Sequence, residues 1–88
     1  MQKIIFRAEI FKEGNLYVSI CPELNVSSFG ETVEEAKHSL YEAVEAFIEE
    51  CQAMGTLEEV MEEARFIKEH DAWACRRPLV EELLSVGR

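Results

Sequence analysis

The chain lacks paired cysteines, a long apolar run and an ample supply of bases. Cys21, Cys51 and Cys75 are three in number and stand far apart, which argues against a disulfide framework. They read as reduced thiols packed as small hydrophobes. No window approaches the roughly 20 apolar residues of a membrane span. Charges at Lys3, Arg7 and Glu9 interrupt the N-terminal apolar residues, so a signal peptide is not expected. These absences predict a cytoplasmic protein with no membrane partner. Nine lysines and arginines face 18 acidic residues, for a net charge of −9. From Glu31 to Glu63 there are eleven acids and one base, Lys37. Such a surface repels phosphate, so nucleic acid is not expected as a direct ligand, whereas a basic protein would be attracted. A solvated helix face kept acidic for solubility would look the same.

What is present suits a small packed domain. Apolar residues make up 48% of 88 residues, enough for one core. A chain this short buries only about 60–65% of its unfolded surface, so self-association is a natural way to add burial. Residues 3–12 alternate, with Ile4, Phe6, Ala8 and Ile10 on one face and Ile5, Arg7, Glu9 and Phe11 on the other. This predicts a strand with one buried face. Glu13-Gly14-Asn15 is a turn signal, and Leu16 to Cys21 alternates again, completing a hairpin. Pro22 cannot donate to a ladder and ends that strand. Val26 to Phe29 is a short third strand, followed by a glycine turn at Gly30.

Thr32 and Glu35 form a capping box that opens a helix. Val33, Ala36, Leu40, Ala43, Phe47, Cys51 and Met54 form its apolar stripe, widened by Val44 and Ile48. The opposite face holds Glu34, His38, Glu42, Glu45 and Glu49. Gly55 is placed to stop the helix. Thr56-Leu57-Glu58-Glu59 reads as a second capping box before a second helix containing Val60, Met61, Ala64 and Ile67. Trp73 reads as a packing anchor, and Arg76-Arg77-Pro78 as a loop. Residues 79–86 fit a helix started by Pro78 and also fit a strand. The expected fold class is therefore α+β: a three-stranded antiparallel meander, a long helix on one sheet face and a further element. If that element is a strand, it can lie parallel to the first, with the helices as the crossover.

The run from Tyr17 to Ala36 resembles the HicB-like antitoxin family of type II toxin–antitoxin systems. The resemblance rests on Tyr17, Pro22-Glu23-Leu24, Gly30-Glu31-Thr32 and Val33-Glu34-Glu35-Ala36. It covers residues 3 to about 54 well, and the tail less so. Where many members have Pro-Gly after the leucine, this chain has Asn25-Val26. The motif residues Tyr17, Pro22, Leu24, Gly30, Thr32, Glu35 and Ala36 encode a scaffold more than a site. The resemblance implies a partial ribonuclease H-like fold, with residues 79–86 as a fourth strand beside the first. It implies a partner, a small basic RNA-cleaving toxin of the HicA kind, masked by the antitoxin. It also implies a homodimer or higher homo-oligomer, with the C-terminal element and the sheet edge as contacts. Longer members add a DNA-binding domain, for which a chain ending at Arg88 leaves no room. The scattered bases Arg65, Lys68, Arg76, Arg77 and Arg88 do not replace one.

A ribonuclease H-like fold raises the question of nuclease chemistry, which needs several carboxylates converging on two metal ions. The only aspartate is Asp71, in a loop, and strand one offers only Glu9. The helix glutamates lie opposite the apolar stripe. Neither catalysis nor a cofactor is expected. His38, His70, Cys51 and Cys75 lack the close ligand pairs of a structural zinc site. His38, with Glu34 and Glu42 one turn away on either side, reads as a surface histidine. The face Glu34, His38, Glu42, Glu45 and Glu49 is the candidate contact for a basic toxin. An oligomer without any toxin is the rival reading.

Overall fold

A computed structural model describes residues 3–87; Arg88, counted above among the bases, lies outside them. The elements run Lys3–Ile5 (β1), Glu9–Glu13 (β2), Leu16–Cys21 (β3), Val26–Gly30 (β4), Val33–Met54 (α1), Leu57–Glu63 (α2), Ile67–Glu69 (β5) and Ala72–Ala74 (β6). The fold class is α+β, with two three-stranded sheets ordered β2-β3-β4 and β1-β6-β5.

The first sheet is antiparallel throughout. β2 pairs β3 from Glu9↔Ile20 to Glu13↔Leu16, and β3 pairs β4 from Tyr17↔Gly30 to Cys21↔Val26. Gly14 takes φ +64° between Glu13 and Leu16, as hairpin turns with glycine at the first central position require. After Pro22, Asn25 adopts φ 55° and its amide donates to the Pro22 carbonyl at 3.3 Å. Asparagine tolerates this left-handed geometry, and the turn lowers Leu24 into the core.

The strand expected over 3–12 is interrupted. Residues 6–8 leave the ladder, which divides β1 from β2 and lets the two halves join different sheets. β1 pairs β6 in parallel, with Ile4 opposite Trp73, and β6 pairs β5 in an antiparallel hairpin. A strand parallel to the first therefore exists, but it is Ala72–Ala74. Residues 79–86 form neither strand nor helix, and their apolar side chains are exposed. No partner strand lies beside them to repay the ordering of their backbone.

α1 is 22 residues long and packs on β3 and β4. Its buried residues are Ala36, Leu40, Val44, Ile48 and Cys51. The seam thus turns toward Val44 and Ile48 relative to the expected stripe, leaving Val33 and Met54 exposed. The turn brings Val44 and Ile48 toward Ile4 and Phe6. Leu57 and Met61 of α2 join Cys51, Phe66 and Trp73 to complete the core. Trp73 is a buried anchor, as its size suggests.

Two glycine and threonine readings change. Gly30 is the last residue of β4 and not a turn; it is needed because a Cβ there would meet the Ala36 amide nitrogen at 2.5 Å. The second capping box does not form. Thr56 makes no side-chain cap bond, and its hydroxyl instead donates back to the Cys51 carbonyl at 3.4 Å. The preceding helix ends through Gly55 at φ 72°, and the Thr56 amide also donates to the Cys51 carbonyl, so Thr56 is committed to closing α1.

Candidate functional site

The start of α1 is fixed by the motif residues. The Glu35 amide donates to the Thr32 hydroxyl at 3.0 Å, and the Glu31 amide donates to the Glu35 carboxylate at 3.0 Å. The box therefore reaches back one residue beyond the cap itself. Acidic Glu34 and Glu35 occupy the first turn, where the helix dipole favours them. Ala36 is fully buried against the sheet. Beneath it the fully buried Ser19 hydroxyl donates to the Ala36 carbonyl at 2.8 Å. Tyr17, opposite Gly30 in register, carries the Lys12 ammonium 5.8 Å from its ring centre. These residues hold the helix at a set height and angle, and none of them lines a polar cavity.

The helix so placed presents Glu34, His38, Glu42, Glu45 and Glu49 to solvent, all exposed. At 100° per residue the five fall within about 80° of arc, a single ridge. Ion pairing along it is sparse. His38 Nε2 lies 3.7 Å from Glu42, and the Lys37 ammonium is 3.3 Å from Glu34. Among the described residues, neither Glu45 nor Glu49 is ion-paired within 4.0 Å.

Glu45 and Glu49 also form one rim of a groove that sequence reasoning missed. Its floor is Ile4 and Phe6 from the β1 side and Val44 and Ile48 from α1, with Lys3, Tyr41 and Gln52 around the edge. The volume is about 350 Å³. Tyr41 stands 55% exposed at its mouth. The signal for it was present: Tyr41 is a large aromatic on a helix whose other outward residues are mostly charged. An apolar floor with a charged rim has the make-up of a protein-binding surface.

A second cluster gathers around Arg7. Its guanidinium donates to Glu23 at 3.0 Å, with Glu9 at 3.3 Å and Glu81 at 3.6 Å. Arg65, Arg76, Arg77 and Pro78 border the same depression. This cluster ties the beginning of the C-terminal segment to the body of the molecule.

Cys21, Cys51 and Cys75 are free thiols. Burial pushes the Cys21 thiol pKa up, with the nearby Glu23 charge adding to the effect. Among the described residues, no three His, Cys, Asp or Glu side chains stand together in a way that could hold a metal ion. No helix among them is long and apolar enough to cross a membrane. No family model, no curated protein and no solved structure matches the chain.

Proposed function

We propose that the chain is an antitoxin-type binding protein of the HicB-like kind. It neutralises a small basic RNA-cleaving toxin resembling HicA by masking the toxin's active surface. The observation that carries the reading is the apolar groove between α1 and Ile4–Phe6, rimmed by the under-paired carboxylates Glu45 and Glu49. A basic partner would bury apolar side chains over Tyr41, Val44 and Ile48 while its cations meet the ridge of Glu34, His38, Glu42, Glu45 and Glu49. The element order adds support. An antiparallel meander, a long helix and a late strand, β6, parallel to β1 follow the order expected of a partial ribonuclease H-like fold, with the difference that β1 and β6 lie in a sheet apart from the meander. On this reading the chain itself does no chemistry and needs no cofactor.

Charge complementarity of this kind acts chiefly on association rate. The triple reversal Glu42→Lys, Glu45→Lys, Glu49→Lys should slow association with a catalytically silenced HicA-type toxin about tenfold or more. The measurement is stopped-flow binding at on the order of 50 mM salt, where the Debye length exceeds about 10 Å. Unchanged association kinetics under those conditions would remove the ridge from the reading.

A second reading, an oligomer without a toxin, is favoured by the apolar surface left bare on the far side of the sheet. The product of the adjacent reading frame separates the two: a small basic neighbour that co-purifies with the chain supports the antitoxin.

A further inference from the structure

The β2-β3-β4 sheet is covered by α1 on one face only. In β3 the set beneath the helix is Tyr17, Ser19 and Cys21, of which Ser19 and Cys21 are fully buried. The more apolar alternate set, Leu16, Val18 and Ile20, points the other way. Register extends it across the sheet, because Phe11 is opposite Val18 and Val18 is opposite Phe29. Phe11 is 54% and Phe29 62% exposed. A strand that turns its more apolar side outward, flanked by two exposed phenylalanines, marks an interaction surface.

The segment after Pro78 is the complementary anomaly. Leu79, Val80, Leu83, Leu84 and Val86 are all exposed, Leu79 and Leu83 completely. The segment is tethered near its start by Glu81 against Arg7. The chain's radius of gyration is 15.0 Å, against about 12 Å for a compact chain of this length. The segment therefore projects from the body and does not lie along it.

We propose that two copies of the chain exchange these segments, residues 79–86 of each lying across the Phe11–Val18–Phe29 row of the other. The dimensions fit. Eight extended residues reach about 26 Å, and three strands spaced about 4.8 Å apart span about 10 Å. The area fits as well. Each well-buried aliphatic or aromatic side chain removes about 60–120 Å² of apolar surface. Five exposed tail residues and the partly buried sheet residues Phe11, Leu16, Val18 and Phe29, which have about half of their area left to lose, then bring on the order of 400–800 Å² per protomer. A standard stable interface takes about 800 Å² per partner. The exchange is two-fold and self-complementary, so it closes at the dimer. It rests on surfaces separate from the acidic ridge and stands or falls independently of a toxin partner.

Sedimentation and light scattering test it. The wild-type chain should run at twice the monomer mass. The face variant Phe11→Ser/Phe29→Ser and the tail variant Leu79→Ser/Leu83→Ser/Leu84→Ser should each run as monomers with unchanged far-UV circular dichroism. If the double face variant loses its fold, Phe29→Gln alone takes its place. Mixing the face variant with the tail variant should restore a mixed dimer, since one intact tail and one intact face remain. Tail-to-tail or face-to-face association could not be rescued in this way. A monomeric wild type, a dimeric single-set variant, or a mixture that stays monomeric would overturn the proposal.

Discussion

Replacing Gly30 with alanine puts a methyl group into a close approach between β4 and the first turn of α1. The added carbon would stand 2.5 Å from the Ala36 nitrogen, 2.8 Å from the Glu35 carbonyl carbon and 2.9 Å from Glu35 Cβ. Ordinary carbon contacts lie at about 3.5–4.0 Å, so the first turn of α1 must retreat by about 1 Å. Two of those atoms are backbone and cannot rotate away. The same retreat stretches the 2.8 Å Ser19–Ala36 hydrogen bond beyond bonding distance. Overpacking costs about 1–3 kcal/mol, and a buried hydroxyl left without its acceptor about 1–3 kcal/mol more. The sum, about 2–6 kcal/mol, is a large share of the roughly 4–13 kcal/mol that a chain of this size has in total. Urea denaturation followed by circular dichroism measures it. Gly14→Ala is the control: nothing lies within 4 Å of its added carbon, and only the positive φ is at stake, worth about 1–2 kcal/mol. A Gly30→Ala cost below about 1 kcal/mol, or one no larger than that of Gly14→Ala, would refute the close-approach argument.

Thr32→Ala should cost about 0.5–2 kcal/mol through loss of the cap bond to the Glu35 amide. Thr56→Ala should cost less, because Thr56 makes no such bond; equal losses in urea melts would contradict the assignment of one working box. Folding raises the Cys21 thiol pKa through burial, so the native state holds its proton where the unfolded chain releases it. Stability from this source is complete at neutral pH and falls as pH rises above the ordinary thiol value of about 8.5. Cys21→Ala should therefore lose less stability than wild type between neutral pH and pH of about 10, and parallel losses would contradict the burial argument.

Local chemistry was readable in the sequence because it is written in few residues. Gly14, Pro22, Thr32 and Gly55 each dictate a backbone event within a turn, and the hairpin, the strand end and both ends of α1 follow. Long-range choices were less accessible. Ala72-Trp73-Ala74 contains two alanines, which have little strand preference of their own, so β6 depends on pairing with β1 on one side and β5 on the other. Alternation in β3 was visible, but which set faces the helix depends on how closely α1 can approach, and Ser19 allows what a larger residue would prevent. Residues 79–86 carry a pattern compatible with two structures and form neither within the single chain. The exposed helix ridge could be drawn from 3.6-residue spacing alone. The groove beside it needs β1 and α1 together, which no local window contains.

The pairing of β1 with β6 also sets an order of events. The meander and the first turns of α1 close contacts between near neighbours, whereas Lys3–Ile5 meets Ala72–Ala74 across almost the whole chain. Loop-closure entropy makes that junction the slowest to form. During synthesis the first strand must wait, with its backbone unsatisfied and Ile4 uncovered, until Trp73 has emerged. A chain interrupted before Trp73 would carry a formed helical half and an open strand, the kind of species on which aggregation and quality control act.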